Sequence, residues 1–182
     1  MDYFNFKGPD LYAEEIKATD LAKEYGTPLY VYSKATLHRH MNAFEDSLKE
    51  KKHLVCFAVK ACSNLAVIHE MAKLGAGFDI VSEGELRRVI AAGGDPKKVV
   101  FSGVGKSEQE IEFALSQGIN CLNIESAQEI DTVIKVAKKL NVPEYVVKRK
   151  CQKFGIKKSS DLHVQNIRKA CLEKYGVING GG

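Results

Sequence analysis

The sequence predicts an α/β fold, a partial (β/α) barrel of about five βα units followed by an irregular basic tail. Three observations predict it. Short apolar runs rich in β-branched and aromatic residues alternate with longer stretches of helical spacing over the first 140 residues. The connections are short and carry N-cap serines and closing glycines. The alternation then degrades at Val142-Pro143, well before the eight units and roughly 250 residues that close such a barrel.

Each element follows from its residues. Leu29–Ser33 is expected as a strand and Ala35–Glu50 as a helix. His53–Val59 reads as a buried strand, and Asn64–Leu74 as an amphipathic helix with apolar Leu65, Ile68, Met71 and Ala72. Phe78–Val81 is the next strand, with a helix over Glu83–Ala92. Val99–Ser102 pairs with a helix over Ser107–Gln117, and Asn120–Ile124 with a helix over Ala127–Leu140. Ser107 and Ser126 are natural N-caps with Glu110 and Glu129 three residues on, and Gly75, Gly93 and Gly118 sit at helix ends.

Bulk properties narrow the classes. The 182 residues suffice for one domain with a real core, and 45% hydrophobic content is ordinary for a soluble protein. No apolar run approaches the ~20 residues of a membrane span. Met1-Asp2-Tyr3-Phe4-Asn5 has neither the basic nor the apolar region of a secretory signal, so a cytoplasmic location is expected. The five cysteines include no C-x-x-C pair, which argues against a disulfide framework or a zinc site. His53, His69 and His163 show no metal-ligand spacing, so no metal is expected.

Charge is uneven. From Asn141 onward there are nine Lys/Arg against three acids, whereas the first 140 residues hold eighteen against twenty. The tail has few aromatics, Tyr145, Phe154 and Tyr175, and no nucleic-acid motif, so it reads as a solvated surface and neither nucleic acid nor a membrane is expected as partner.

The most informative run is Phe57-Ala58-Val59-Lys60-Ala61-Cys62-Ser63-Asn64. It sets a lysine where an apolar run meets a helical pattern, at the strand end where an α/β sheet presents ligand-binding groups. A desolvated lysine there can attack an aldehyde and form a Schiff base. The same residues allow a plain strand-end lysine that extends into water.

Further runs settle which family the chain resembles. They are Gly75-Ala76-Gly77-Phe78-Asp79-Ile80-Val81-Ser82-Glu83-Gly84-Glu85-Leu86, Val99-Val100-Phe101-Ser102-Gly103-Val104-Gly105-Lys106-Ser107 and Asn120-Cys121-Leu122-Asn123-Ile124-Glu125-Ser126. With the entry segment Leu11-Tyr12-Ala13 through Gly26-Thr27-Pro28-Leu29-Tyr30-Val31-Tyr32-Ser33, they resemble the diaminopimelate decarboxylase family from about Leu11 to Leu140. These are pyridoxal-phosphate enzymes on an alanine-racemase-like barrel. The resemblance implies pyridoxal 5'-phosphate as cofactor, decarboxylation of meso-diaminopimelate to L-lysine and carbon dioxide, and a homodimer of the full-length protein.

The resemblance implies the site residues too. Lys60 matches the lysine that carries the cofactor as an internal aldimine and then exchanges a proton near the substrate carbon. Ala58 matches a small residue beside the cofactor, with plain strand packing as its other reading. Asp79 matches an acid near the cofactor and lysine, with a strand-end cap as its alternative. Glu85 matches a glutamate near the entrance, but first-turn acids also serve the helix dipole, and it is left out of the site. Cys62 reads as a small packing residue. Gly180, Gly181 and Gly182 resemble the glycine turn that cradles the cofactor phosphate, and equally resemble a flexible terminus.

The resemblance divides the chain into an entry segment (1–33), a partial cofactor-binding barrel (34–140) and a rearranged or truncated tail (141–182). In the tail, Lys153-Phe154-Gly155-Ile156 and Asp161-Leu162-His163-Val164-Gln165 resemble family segments that normally stand farther apart, so internal deletions are expected. A ring-stacking histidine, a downstream glutamate, and the family's Glu-Pro-Gly-Arg and Cys-Glu-Ser-Gly-Asp runs have no counterpart in these 182 residues. The chain alone is therefore expected to be inactive. A non-catalytic cofactor-binding or subunit-pairing chain, or another decarboxylase of the same fold acting on ornithine or arginine, is the alternative reading.

Overall fold

The computed structural model describes residues 3–141, which form two sheets and six α-helices. The chain enters through three antiparallel strands, β1 (Phe4–Lys7), β2 (Asp10–Ala13) and β3 (Ile16–Lys17). Helix α1 (Ala18–Tyr25) follows directly. Glu14 joins this segment to the next helix, α2 (Lys34–Leu48). Its carboxylate accepts from the Ser33 hydroxyl at 2.8 Å and from Ala35 N at 2.9 Å, the latter satisfying one of the N–H groups that a helix start leaves free. Those bonds hold the Glu14 pKa below the usual carboxylate range, the Ala35 bond contributing most.

From there the chain alternates. Strand β4 (Cys56–Ala58) leads to α3 (Leu65–Lys73), and β5 (Gly77–Ile80) to α4 (Glu83–Ala91). Strand β6 (Val99–Phe101) leads to α5 (Glu108–Ser116), and β7 (Cys121–Leu122) to α6 (Ala127–Lys139). The sheet order is β4-β5-β6-β7, all parallel, so every crossover joins adjacent strands, as in the wall of a (β/α) barrel.

The core lies between this sheet and its helices. Phe78 and Ile80 from β5, Val99 and Phe101 from β6, Ile68 from α3, and Leu86 and Val89 from α4 are fully buried in one cluster. Because strand side chains alternate, Ala58, Asp79, Val100 and Cys121 fall on the opposite face. Gly77 is required by packing: a Cβ there would sit 2.6 Å from the Lys98 carbonyl oxygen.

Several expectations are met. Ser107 and Glu110 form a full capping box, Ser126 accepts from Glu129 N, and Gly75, Gly93 and Gly118 adopt positive φ at helix ends. Two are corrected. Residues 29–33 form no strand, although Leu29 and Val31 alternate with Tyr30 and Tyr32 in strand fashion. A strand exists only where another chain segment completes its hydrogen bonds, and none of the described residues runs beside this one. The expected strand His53–Val59 is also shorter, because the chain tightens into a 3₁₀ turn at Val59–Ala61, closed by Cys62 N to Val59 O at 3.1 Å.

Candidate functional site

That turn carries Lys60 at the carboxyl end of β4. Val59 is fully buried and pins the turn to the core, while Lys60 is exposed. Among the described residues the Lys60 amine makes no hydrogen bond or ion pair. Ala58, two residues earlier, lies directly across from Asp79 on β5. Cys56 begins the same strand as Ala58, and burial, followed by the Asp79 charge, pushes its thiol pKa up. The Cys62 thiol beside Tyr32 pushes the Tyr32 phenol pKa up.

Asp79 is held from β6. Ser102 Oγ donates to Asp79 Oδ1 at 2.6 Å, and Asn123 Nδ2 donates to Ser102 Oγ at 3.0 Å. The backbones are fixed as well, since Ser102 N donates to Ile80 O and Asn123 N to Phe101 O, each extending the parallel ladder by one bond. The structure thus brings Lys60, Ala58 and Asp79 to one edge of the sheet. Gly180, Gly181 and Gly182 lie outside the described residues. Glu85 accepts from Val81 N at 2.7 Å and serves its own helix start.

Sequence reasoning missed Ser102 and Asn123. The available signal was positional: each is the polar residue that ends an apolar run, as Asp79 nearly is. It also missed an ion pair behind the site. Lys106 Nζ lies 3.2 Å from Glu129 Oε1, with side chains only 1% and 5% exposed. Lys106 Nζ also donates to the Gly103 carbonyl and stands 5.7 Å over the Phe101 ring. Glu129 further accepts from Lys106 N and Glu125 N, so one carboxylate ties the segment after β6 to the segment after β7.

The donor set suits an aldehyde cofactor. It offers a primary amine with no partner among the described residues, a carboxylate fixed on the adjoining strand, and a small residue, Ala58, paired with that carboxylate's residue across the sheet. Lys60 can attack a carbonyl carbon, and Asp79 can balance positive charge that develops nearby.

Comparison with known proteins gives the same direction. Residues 34–170 match the family described as "Pyridoxal-dependent decarboxylase, pyridoxal binding domain". Over 143 residues the chain is 58% identical to a diaminopimelate decarboxylase of Vibrio cholerae, covering 78% of this chain and 34% of that protein. Among solved structures, a diaminopimelate decarboxylase from M. jannaschi superposes with a TM-score of 0.74 at 33% identity, over 77% of this chain and 34% of that one. The Helicobacter pylori diaminopimelate decarboxylase, solved in complex with L-lysine, superposes with a TM-score of 0.66 at 40% identity, over 68% and 32%. The chain spans about a third of the length of these relatives.

Proposed function

Since the chain belongs to the pyridoxal-dependent decarboxylases through their pyridoxal-binding domain, we propose that it anchors pyridoxal phosphate at Lys60 in a decarboxylase acting on meso-diaminopimelate. The observation that carries this reading is the Lys60 amine, without a partner among the described residues, in its 3₁₀ turn with Asp79 one strand away. When bound, the cofactor supplies an electron sink for the charge left on carbon as carbon dioxide departs.

The residues divide the work. Lys60 Nζ would hold the cofactor through its aldehyde and would supply a proton at the substrate carbon. Asp79 keeps a negative charge beside that transfer. Ala58 leaves room over the sheet, and Gly180, Gly181 and Gly182 are assigned to the phosphate. The division into entry segment (1–33), barrel (34–140) and tail (141–182), the pairing of two copies, and a cytoplasmic location belong to the same reading. Among the described residues no helix is long and apolar enough to cross a membrane.

Diaminopimelate is favoured over ornithine or arginine by the identity to the Vibrio cholerae and Helicobacter pylori proteins. A chimera tests the assignment, with residues 34–140 of this chain replacing the matching segment of the Vibrio cholerae enzyme. It should release L-lysine and carbon dioxide from meso-diaminopimelate, and Lys60→Ala in the chimera should lower kcat by about a thousandfold or more. A folded chimera that makes no lysine, or one indifferent to Lys60→Ala, would count against the proposal.

A further inference from the structure

We propose that Ser102 and Asn123 are positioning residues that hold the Asp79 carboxylate as a fixed acceptor next to the strand carrying Lys60. The inference deepens the cofactor reading above and rests on it. Three hydrogen bonds carry it, and they all run the same way. The Cys121 thiol donates to Asn123 Oδ1 at 3.7 Å, Asn123 Nδ2 donates to Ser102 Oγ at 3.0 Å, and Ser102 Oγ donates to Asp79 Oδ1 at 2.6 Å.

The direction is forced by inventory. A serine hydroxyl has one hydrogen. With Asn123 Nδ2–H donated to its oxygen, that hydrogen is free for Asp79, and the thiol on Asn123 Oδ1 keeps the amide turned the right way. The 2.6 Å separation lies in the range of a hydroxyl bonded to a charged oxygen, about 2.5–2.7 Å. Asp79 Oδ1 is thereby committed to Ser102, which sets the plane of the carboxylate and leaves Oδ2 to take a second donor.

The scaffold suits this role. Asp79, Ser102 and Asn123 come from the carboxyl ends of three consecutive parallel strands, and the backbone N–H groups of Ser102 and Asn123 are bonded to the neighbouring strand. The Lys106–Glu129 pair closes the segments that follow Ser102 and Asn123. Orientation is therefore borrowed from the sheet, and no loop has to order on binding.

The test titrates pyridoxal phosphate onto the 182-residue chain and its variants, reading the visible absorbance band and its induced circular dichroism. Far-UV circular dichroism checks that each variant is folded. Ser102→Ala should weaken cofactor binding about tenfold, the worth of one bond to a charged group, and flatten the induced signal. Ser102→Thr, which keeps the hydroxyl, should restore both. Ser102→Ala placed on Asp79→Ala should add no further loss, because Ser102 acts through Asp79. Asn123→Ala, at an exposed position outside the ladder core, should weaken binding about threefold and provides the same test without disturbing the sheet.

Wild-type binding with Ser102→Ala and Asn123→Ala both unchanged would overturn the inference and leave the cofactor reading standing. So would a Ser102→Ala loss that multiplies with that of Asp79→Ala. A wild-type chain that forms no Lys60-dependent band would overturn both.

Discussion

His38 Nε2 meets the Glu70 carboxylate at 3.0 Å, and Lys34 lies at the same distance. The His38 bond, then Lys34, lowers the Glu70 pKa from 4.5 to about 2. A carboxylate whose pKa falls on folding adds stability that is complete above its unfolded value and lost as pH drops through its folded one. Acid titration of unfolding should therefore show wild type losing its advantage over Glu70→Gln between pH 4.5 and about 2. A difference that stays constant across that window would refute the assignment. Gly77 is a second residue with a sharp expectation. An added methyl would meet the Lys98 carbonyl at 2.6 Å, Cys56 Sγ at 2.8 Å and Leu54 Cδ2 at 2.9 Å. Gly77→Ala should lower the unfolding free energy by about 1–3 kcal/mol in urea melts.

Between elements, the buried Lys106–Glu129 pair links the segments after β6 and β7. Lys106→Met strands a buried carboxylate and should cost about 3–5 kcal/mol by denaturant unfolding. Lys106→Met with Glu129→Gln should cost less, because the buried charge is gone and the amide oxygen still accepts from one of the two backbone N–H groups, at residue 106 or 125, that the carboxylate served. Element boundaries were legible wherever a local rule decides them. Ser107 with Glu110 announces a helix start by its side chains alone, and Gly75 announces an end because few other residues adopt its φ of +84°. The span 29–33 was misread because alternation records which faces are apolar and not whether a partner strand lies alongside. In the entry sheet β1 does alternate, Phe4 and Phe6 with Asn5 and Lys7, but it is only four residues long and exposed throughout, and β3 has two residues, too short for a pattern to mark either as a strand. The short strand at β4 has another cause: the 3₁₀ turn is closed by backbone atoms, which no side-chain pattern reports.

Across the whole described molecule, four parallel strands in sequential order put their carboxyl ends on one edge, and the candidate chemistry gathers there. Lys60 stands out in the sequence because it breaks an apolar run just before a helical pattern, and Asp79 because it matches an acid of the resembling family. Ser102 and Asn123 do not, since only the register of β5, β6 and β7 shows that they touch. The segments expected in the tail, including Gly180, Gly181 and Gly182, lie outside the described residues. The central claim is that Lys60 is the covalent anchor, and the most direct measurement reduces the chain with borohydride in the presence of pyridoxal phosphate and maps the adduct by peptide mass spectrometry. The account predicts a single pyridoxyl group on the peptide containing Lys60, absent from Lys60→Ala. Label spread over surface lysines, or unchanged by Lys60→Ala, would contradict it.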